Sequence, residues 1–347
     1  MDRRRTLVFF RSHISPLRIP ILRILAILAV VSLVALTGCT TIKVKMGMRV
    51  YLEKTPIASI AASLPNGPGI APGEKSPLVV VVTEPDGKVL QTEGKGGGKV
   101  LWKDITVTPT LVTANQKGIL SLPKDPRKSD GKVGHVTITV PSHPDMKFDL
   151  DIPVRYNYAF TSNFSGSKGA DGSNGSDGMA GSSGSMGSTD PNNPSAGGDG
   201  GNGTDGSDGG DGEPGGNAPA VQVWATVRSG GHPLLQVRVS AAGKTRFYLV
   251  DPQGGSLTVS ADGGAGGSGG RGGRGGAGGS GGIGSPSGNS GQSGHDGRSG
   301  FDGSTGTGGQ ITVTYDPQAK ALLGMIHLSA AYGPSPVFKE EPVAPLW

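Results

Sequence analysis

From Gly263 to Gly284 the chain reads GGAGGSGGRGGRGGAGGSGGIG, with a glycine at every third position and a second glycine in most triplets. The same period runs from 166 to 187, from 197 to 215 and from 288 to 309. No other feature restricts the fold as strongly. Glycine loses the most conformational freedom on ordering, so helices and strands disfavour it. A period of three matches the polyproline-II family, which has three residues per turn, so all the glycines line one edge of the helix.

The four runs form two pairs. One pair is joined by Thr189-Asp190-Pro191-Asn192-Asn193-Pro194, the other by Ser285-Pro286-Ser287. Three arrangements have this period: a collagen-like trimer, an intrachain bundle of polyglycine-II-type helices, and a flexible Gly/Ser/Asp linker. Collagen draws on imino acids, and the runs hold almost none, Pro214 being an exception. A bundle accounts for the near-equal lengths, about 60–70 Å at ~3.1 Å per residue. Its structural glycines would include Gly166, Gly169, Gly172, Gly197, Gly200, Gly203, Gly263, Gly266, Gly269, Gly272, Gly288 and Gly291. The run with two bare positions per turn belongs in the middle, and runs with one bare edge belong outside. Residues 163–217 carry one lysine against seven aspartates and one glutamate, a net −7, whereas 263–309 are net +1. The arginine-bearing run is therefore expected beside an acidic one. A monomer is expected, or a trimer if the runs are collagen-like.

The period and the Gly-Gly-X triplets of 166–309 resemble the glycine-rich bundles of springtail antifreeze proteins and of some phage tail-tip adhesins. The resemblance implies backbone-to-backbone packing and carries no functional residue over. The springtail proteins also use disulfides, which this chain cannot form internally, having the single cysteine Cys39.

Cys39 ends an N-terminal pattern of arginines, an apolar run from Ile24 to Leu36 and then Leu36-Thr37-Gly38-Cys39. This is the layout of an export signal, and the apolar run is short for a membrane span. Leu-Thr-Gly-Cys resembles the lipobox of bacterial lipoproteins, which implies cleavage after residue 38 and acylation of Cys39. Several acyl chains anchor a protein stably to a membrane. Arg4-Arg5-Thr6-Leu7-Val8 also resembles a twin-arginine motif, although arginines belong in any such leader. Thr40 in place of aspartate leans toward the outer rather than the inner membrane. Residues 1–38 account for the whole +5 net charge; the rest balances 26 basic against 26 acidic residues. A nucleic-acid partner therefore has no support.

Residues 39–47 read as a tether. Residues 48–162 are mainly β, with LVVVV, DITVTPTLV, HVTITV and FDLDIPVRYNY separated by turn signals. About seven short strands are expected, in an immunoglobulin-like sandwich with Trp102 in its core. Residues 163–217 hold the first two glycine runs, 218–262 a second β module, and 263–309 the other two runs. Residues 310–332 are expected as a β-hairpin completing that module, and 333–347 as a proline-rich tail.

Chemistry is not legible. Gly264-Ala265-Gly266-Gly267-Ser268-Gly269 fits G-x-G-x-x-G, but a repeat follows it where a helix is required. The histidines show no metal spacing. Asp205, Asp208 and Asp211 recur every third residue and read as a solvated face rather than a Ca²⁺ ridge. No catalytic, cofactor or metal residue is expected, and no cofactor. The expected role is structural or adhesive, at a membrane through the lipid anchor. The alternatives are ice or glycan binding on Ser/Thr-bearing faces, or a trimeric stalk; a surface ligand would be a glycan, ice or a protein.

Overall fold

A computed structural model describes residues 46–228 and 230–347. Cys39, the export signal and most of the tether lie outside the described residues. The protein is mainly β and divides into two compact units. The first contains the described residues up to Ile70, then Lys75–Leu122 and Val133–Pro153; the second contains Ala71–Glu74, Pro123–Lys132 and Val154–Trp347.

The first unit holds β1 (Ser59–Ser63), β2 (Lys75–Pro77), β3 (Val79–Thr83), β4 (Val89–Gln91), β5 (Thr106–Thr110), β6 (Thr113–Ala114), β7 (Ile119–Ser121), β8 (Val133–Val140) and β9 (His143–Pro153). They form three antiparallel sheets of three strands each, in the orders β1-β3-β4, β2-β7-β6 and β5-β8-β9. In β8, Gly134, Val136, Ile138 and Val140 are buried and the residues between them are not. That alternation fixes the register, because a one-residue slip would turn every buried side chain outward. Trp102 is buried, and its indole N–H donates to the Glu93 carbonyl at 3.2 Å. Gly118, at φ +68°, lies against the ring, where a β-carbon would overlap the indole.

The second unit holds β10 (Ala159–Asn163), β11 (Val221–Arg228), β12 (Leu234–Ala241), β13 (Lys244–Val250), β14 (Ser256–Ser260), β15 (Ile311–Tyr315), β16 (Ile326–Ser329) and β17 (Val337–Glu340). One sheet has the order β10-β14-β16, all parallel; the other has the order β13-β12-β11-β15-β17. Val223, Val237, Leu257, Val259 and Val313 are wholly buried in their common core.

Three boundaries differ from the sequence reading. β10 falls within the stretch assigned to the N-terminal sandwich, yet it pairs with β14 in the second unit. Residues 310–332 are not a hairpin: β15 joins β11 while β16 joins β14. A 3₁₀ helix at Pro317–Met325, started by Asp316 accepting the Gln318 N–H at 3.0 Å, carries the chain between the two sheets. Residues 333–347 are not a free tail. β17 adds to β15, and the Trp347 indole N–H donates to Asp130 at 3.1 Å.

The glycine segments extend directly from these sheets. β10 runs into the first segment (166–187) and β14 into the third (263–284); the second (197–215) runs into β11 and the fourth (288–309) into β15. Register carries straight through. The 97-residue offset of the β10–β14 pair recurs where the Arg271 N–H meets Asn174. The 90-residue offset of β11–β15 recurs where the His295 N–H meets Asp205.

Candidate functional site

Five hydrogen-bond ladders within the one chain join the glycine segments. The first and third segments are parallel: Gly166, Gly169 and Gly172 donate to the carbonyls of Asp262, Ala265 and Ser268, and the pattern continues to Gly187. The second and fourth are also parallel, with Gly197, Gly200 and Gly203 donating to Pro286, Asn289 and Gln292. Antiparallel ladders join the first to the second, the second to the third, and the third to the fourth, the last including Gly288 to Gly282 and Gly291 to Gly279. The second and third segments thus each contact all the others, and the first and fourth lie outside.

Glycine is required because the backbones touch. A β-carbon at Gly166 would overlap the carbonyl oxygen of Gly216, and one at Gly270 that of Ser173. The sites at Gly266 and Gly272 are closed in the same way by Gly303 and Gly297. Gly263 donates to the Ala331 carbonyl at 3.0 Å, and Gly269 to the Asp302 carboxylate at 2.8 Å. In the third segment the second glycine of each triplet is buried, and the remaining residue, such as Arg271 or Ala277, is exposed.

The glycine ladders leave other backbone N–H groups of each turn without a partner, and side chains supply acceptors. Along the second segment, Asp199, Asn202, Asp205, Asp208, Asp211 and Asn217 accept from the N–H groups of Asn289, Gln292, His295, Arg298, Phe301 and Thr307, at 2.6–2.8 Å. Along the first, Asp171, Asn174 and Asp177 accept from Ser268, Arg271 and Arg274 at 2.8–2.9 Å. Thr204 and Ser207 serve Met179 and Ser176 in the same way, both at 2.7 Å. The acidic ridge therefore has a backbone role that the sequence reading missed. The signal was present, since Asp or Asn recurs in one phase of the triplet and Asn alternates freely with Asp. Asp171 is held below the usual carboxylate range by Lys168, with the Ser268 N–H adding to the effect.

At the root of the third segment, Asp262 accepts from the Ser329 hydroxyl at 2.6 Å and the Ala331 N–H at 2.7 Å, and its pKa is lowered by these bonds in that order. This carboxylate ties β14, β16 and the segment together. Among the described residues no group of three or more His, Cys, Asp or Glu side chains is placed to hold a metal ion.

No protein-family model, curated protein or solved structure matches this chain.

The faces of the segments differ in chemistry. Where the first segment meets the second, exposed Ser167, Ser173, Ser182 and Ser185 lie opposite Gly216, Gly210, Gly201 and Gly198, a low surface dotted with hydroxyls. Where it meets the third, charged residues lie near the sheets (Lys168, Asp171, Asp177, Arg271, Arg274), and the far end carries Ala180, Ala277, Met186 and Ile283. Met186 and Ile283 are 79% and 60% exposed.

Proposed function

We propose that this protein is a lipid-anchored component of a bacterial cell envelope with a structural or adhesive, non-enzymatic role. Its four glycine segments act as a polyglycine-II-type helical bundle, a stiff projection about 60–70 Å long at ~3.1 Å per residue. Cys39 is the proposed acylation site, and the N-terminal strands are read as an immunoglobulin-like sandwich that links anchor to projection. The observation that supports this most is the double use of each turn. Glycine N–H groups bond neighbouring backbones while Asp, Asn, Ser and Thr side chains take up further N–H groups. Side chains committed to the backbone in this way serve reach and display rather than a reaction centre.

The test is solution mass and X-ray scattering of the chain from residue 39 onward with Cys39→Ser. A monomer with a long, stiff profile is expected. A trimer would replace the bundle with a collagen-like stalk, and the scattering of a flexible coil would remove both. Anchoring is tested by feeding an alkyne fatty acid to a bacterium expressing the full chain; label is expected on the wild type and not on Cys39→Ser.

The row of exposed serines opposite glycine favours one second reading, a flat binding face for ice or glycan. Thermal hysteresis and a glycan array separate it from a plain spacer.

A further inference from the structure

The second unit also leaves two sheet edges near one another. β10 ends one sheet and β13 ends the other. The Tyr248 hydroxyl donates to the Thr161 carbonyl at 3.3 Å, and Arg246 donates to the Asn163 carbonyl at 3.2 Å. Beside these bridges lies a cavity of ≈ 370 Å³ whose walls include Lys124, Tyr158, Phe160, Arg246, Phe247 and Tyr248. That volume is within the range of ligand-binding pockets.

Two features of the cavity point to a ligand class. The first is a backbone edge that still offers the N–H groups of Ala159 and Thr161 beside the Thr161 carbonyl that Tyr248 already bridges. Ser256 donates to the Tyr158 carbonyl and Phe164 to the Ser260 carbonyl, so the even-numbered residues of β10 bond β14. Ala159 and Thr161, both exposed, therefore direct their N–H groups away from β14 and toward the cavity side. Such an edge is a template for another extended chain. The second is charge. Asp125 at the rim is neutralised by Arg127, whose Nε and Nη2 donate to it at 3.0 and 2.7 Å. Lys124 and Arg246 have no carboxylate partner among the described residues; Arg246 stacks on Phe164 at 4.3 Å and meets only the Ser162 hydroxyl and Asn163 carbonyl. Gly73, at φ +80°, leaves room for the stem of Lys124, whose Cγ a β-carbon there would approach to 3.0 Å.

We propose that this cleft binds an acidic peptide segment in extended form, which adds as a short strand along Ala159 and Thr161 and sets its carboxylates against Lys124 and Arg246.

The test uses the full chain in detergent and two fluorescein-labelled peptides, Thr-Val-Glu-Val-Glu-amide and its Gln counterpart Thr-Val-Gln-Val-Gln-amide, followed by anisotropy. Saturable binding of the acidic peptide is expected, with the Gln peptide at least about tenfold weaker. Lys124→Gln and Arg246→Gln should each weaken binding about three- to fivefold, the size of a partly exposed ion pair, and Arg246→Lys should stay within about threefold of wild type. Ala159→Pro removes one edge N–H at the first residue of a strand, where proline is tolerated, and should abolish binding with an unchanged circular dichroism spectrum. No saturable binding by the wild type, equal binding of both peptides, or full binding by a folded Ala159→Pro variant would overturn the proposal.

Discussion

The carboxylate of Asp205 accepts the backbone N–H of His295, 90 residues away in the chain, at 2.6 Å. Neither residue needs its charge or ring for this contact. Asp205→Asn keeps an acceptor oxygen and should leave the melting temperature unchanged within a degree or two, as Asn202 in the same role implies. Asp205→Ala should cost about 0.5–1.5 kcal/mol, the usual net worth of one hydrogen bond. Thermal melts of the two variants side by side decide it; equal losses would mean that the charge, and not the acceptor, matters.

Glycines at the touching backbones should tolerate no side chain. Gly270 is buried and its β-carbon would enter the space of the Ser173 carbonyl. Gly270→Ala should destabilise by about 1–3 kcal/mol or more, the range for overpacking. Ala277→Ser, on the exposed position of the same segment, should change stability by less than about 0.5 kcal/mol. Chemical denaturation of both variants gives the comparison, and similar midpoints would contradict backbone contact.

His135 sits between two carboxylates, Nδ1 at 2.8 Å from Asp151 and Nε2 at 3.3 Å from Asp149. The hydrogen bond to Asp151 raises its pKa above 6.5; desolvation opposes the rise, and the Asp149 hydrogen bond adds to it. A raised folded-state pKa contributes stability that is complete below 6.5 and lost as pH rises through the folded value. Melting temperature should therefore drop slightly from pH 6 to pH 8, and His135→Gln should flatten that drop. The Thr137 hydroxyl, then Lys147, lowers Asp149 to about 2, so its contribution is present above about 3.8 and is lost only as pH falls toward 2. Proton NMR titration of the His135 ring that returned a pKa below 6.5 would refute the pairing.

Asp262 joins strand and segment through charge-assisted bonds to Ser329 and Ala331. Asp262→Ala should lose about 1.5–3 kcal/mol, as for hydrogen bonds to a charged group. Because the carboxyl is held below its ordinary 3.8, the wild-type advantage over Asp262→Ala should be complete above that pH and shrink as acid titrates the folded form. Hydrogen exchange at Ala331 is the local readout, and unchanged protection in the variant would show that Asp262 is not the tie.

The sequence discloses what is local and periodic. β8 is legible in HVTITV because alternation survives one-sided burial, and the glycine segments are legible because the period of three persists over seven or eight triplets. The two bare positions per turn of 263–284 signal a segment in contact with three neighbours. Partner choice is what escapes. β10 alternates like its predecessors, and nothing near it in the chain marks a parallel partner 97 residues on. β17 is exposed along its whole length, so no burial pattern distinguished Val337–Glu340 from a tail. The cleft at Tyr158 and Arg246 depends on two sheet edges meeting, a juxtaposition no spacing encodes.

The unbroken offsets of 97 and 90 residues bear on how such a chain can change length over evolution. A single inserted residue in one segment would throw every later glycine out of phase with its neighbours at once. Growth is permitted only in whole triplets, and only when all four segments gain one between the sheets and the far turns. On the proposed polyglycine-II geometry, each such step adds about 9 Å, one three-residue turn, to the segments.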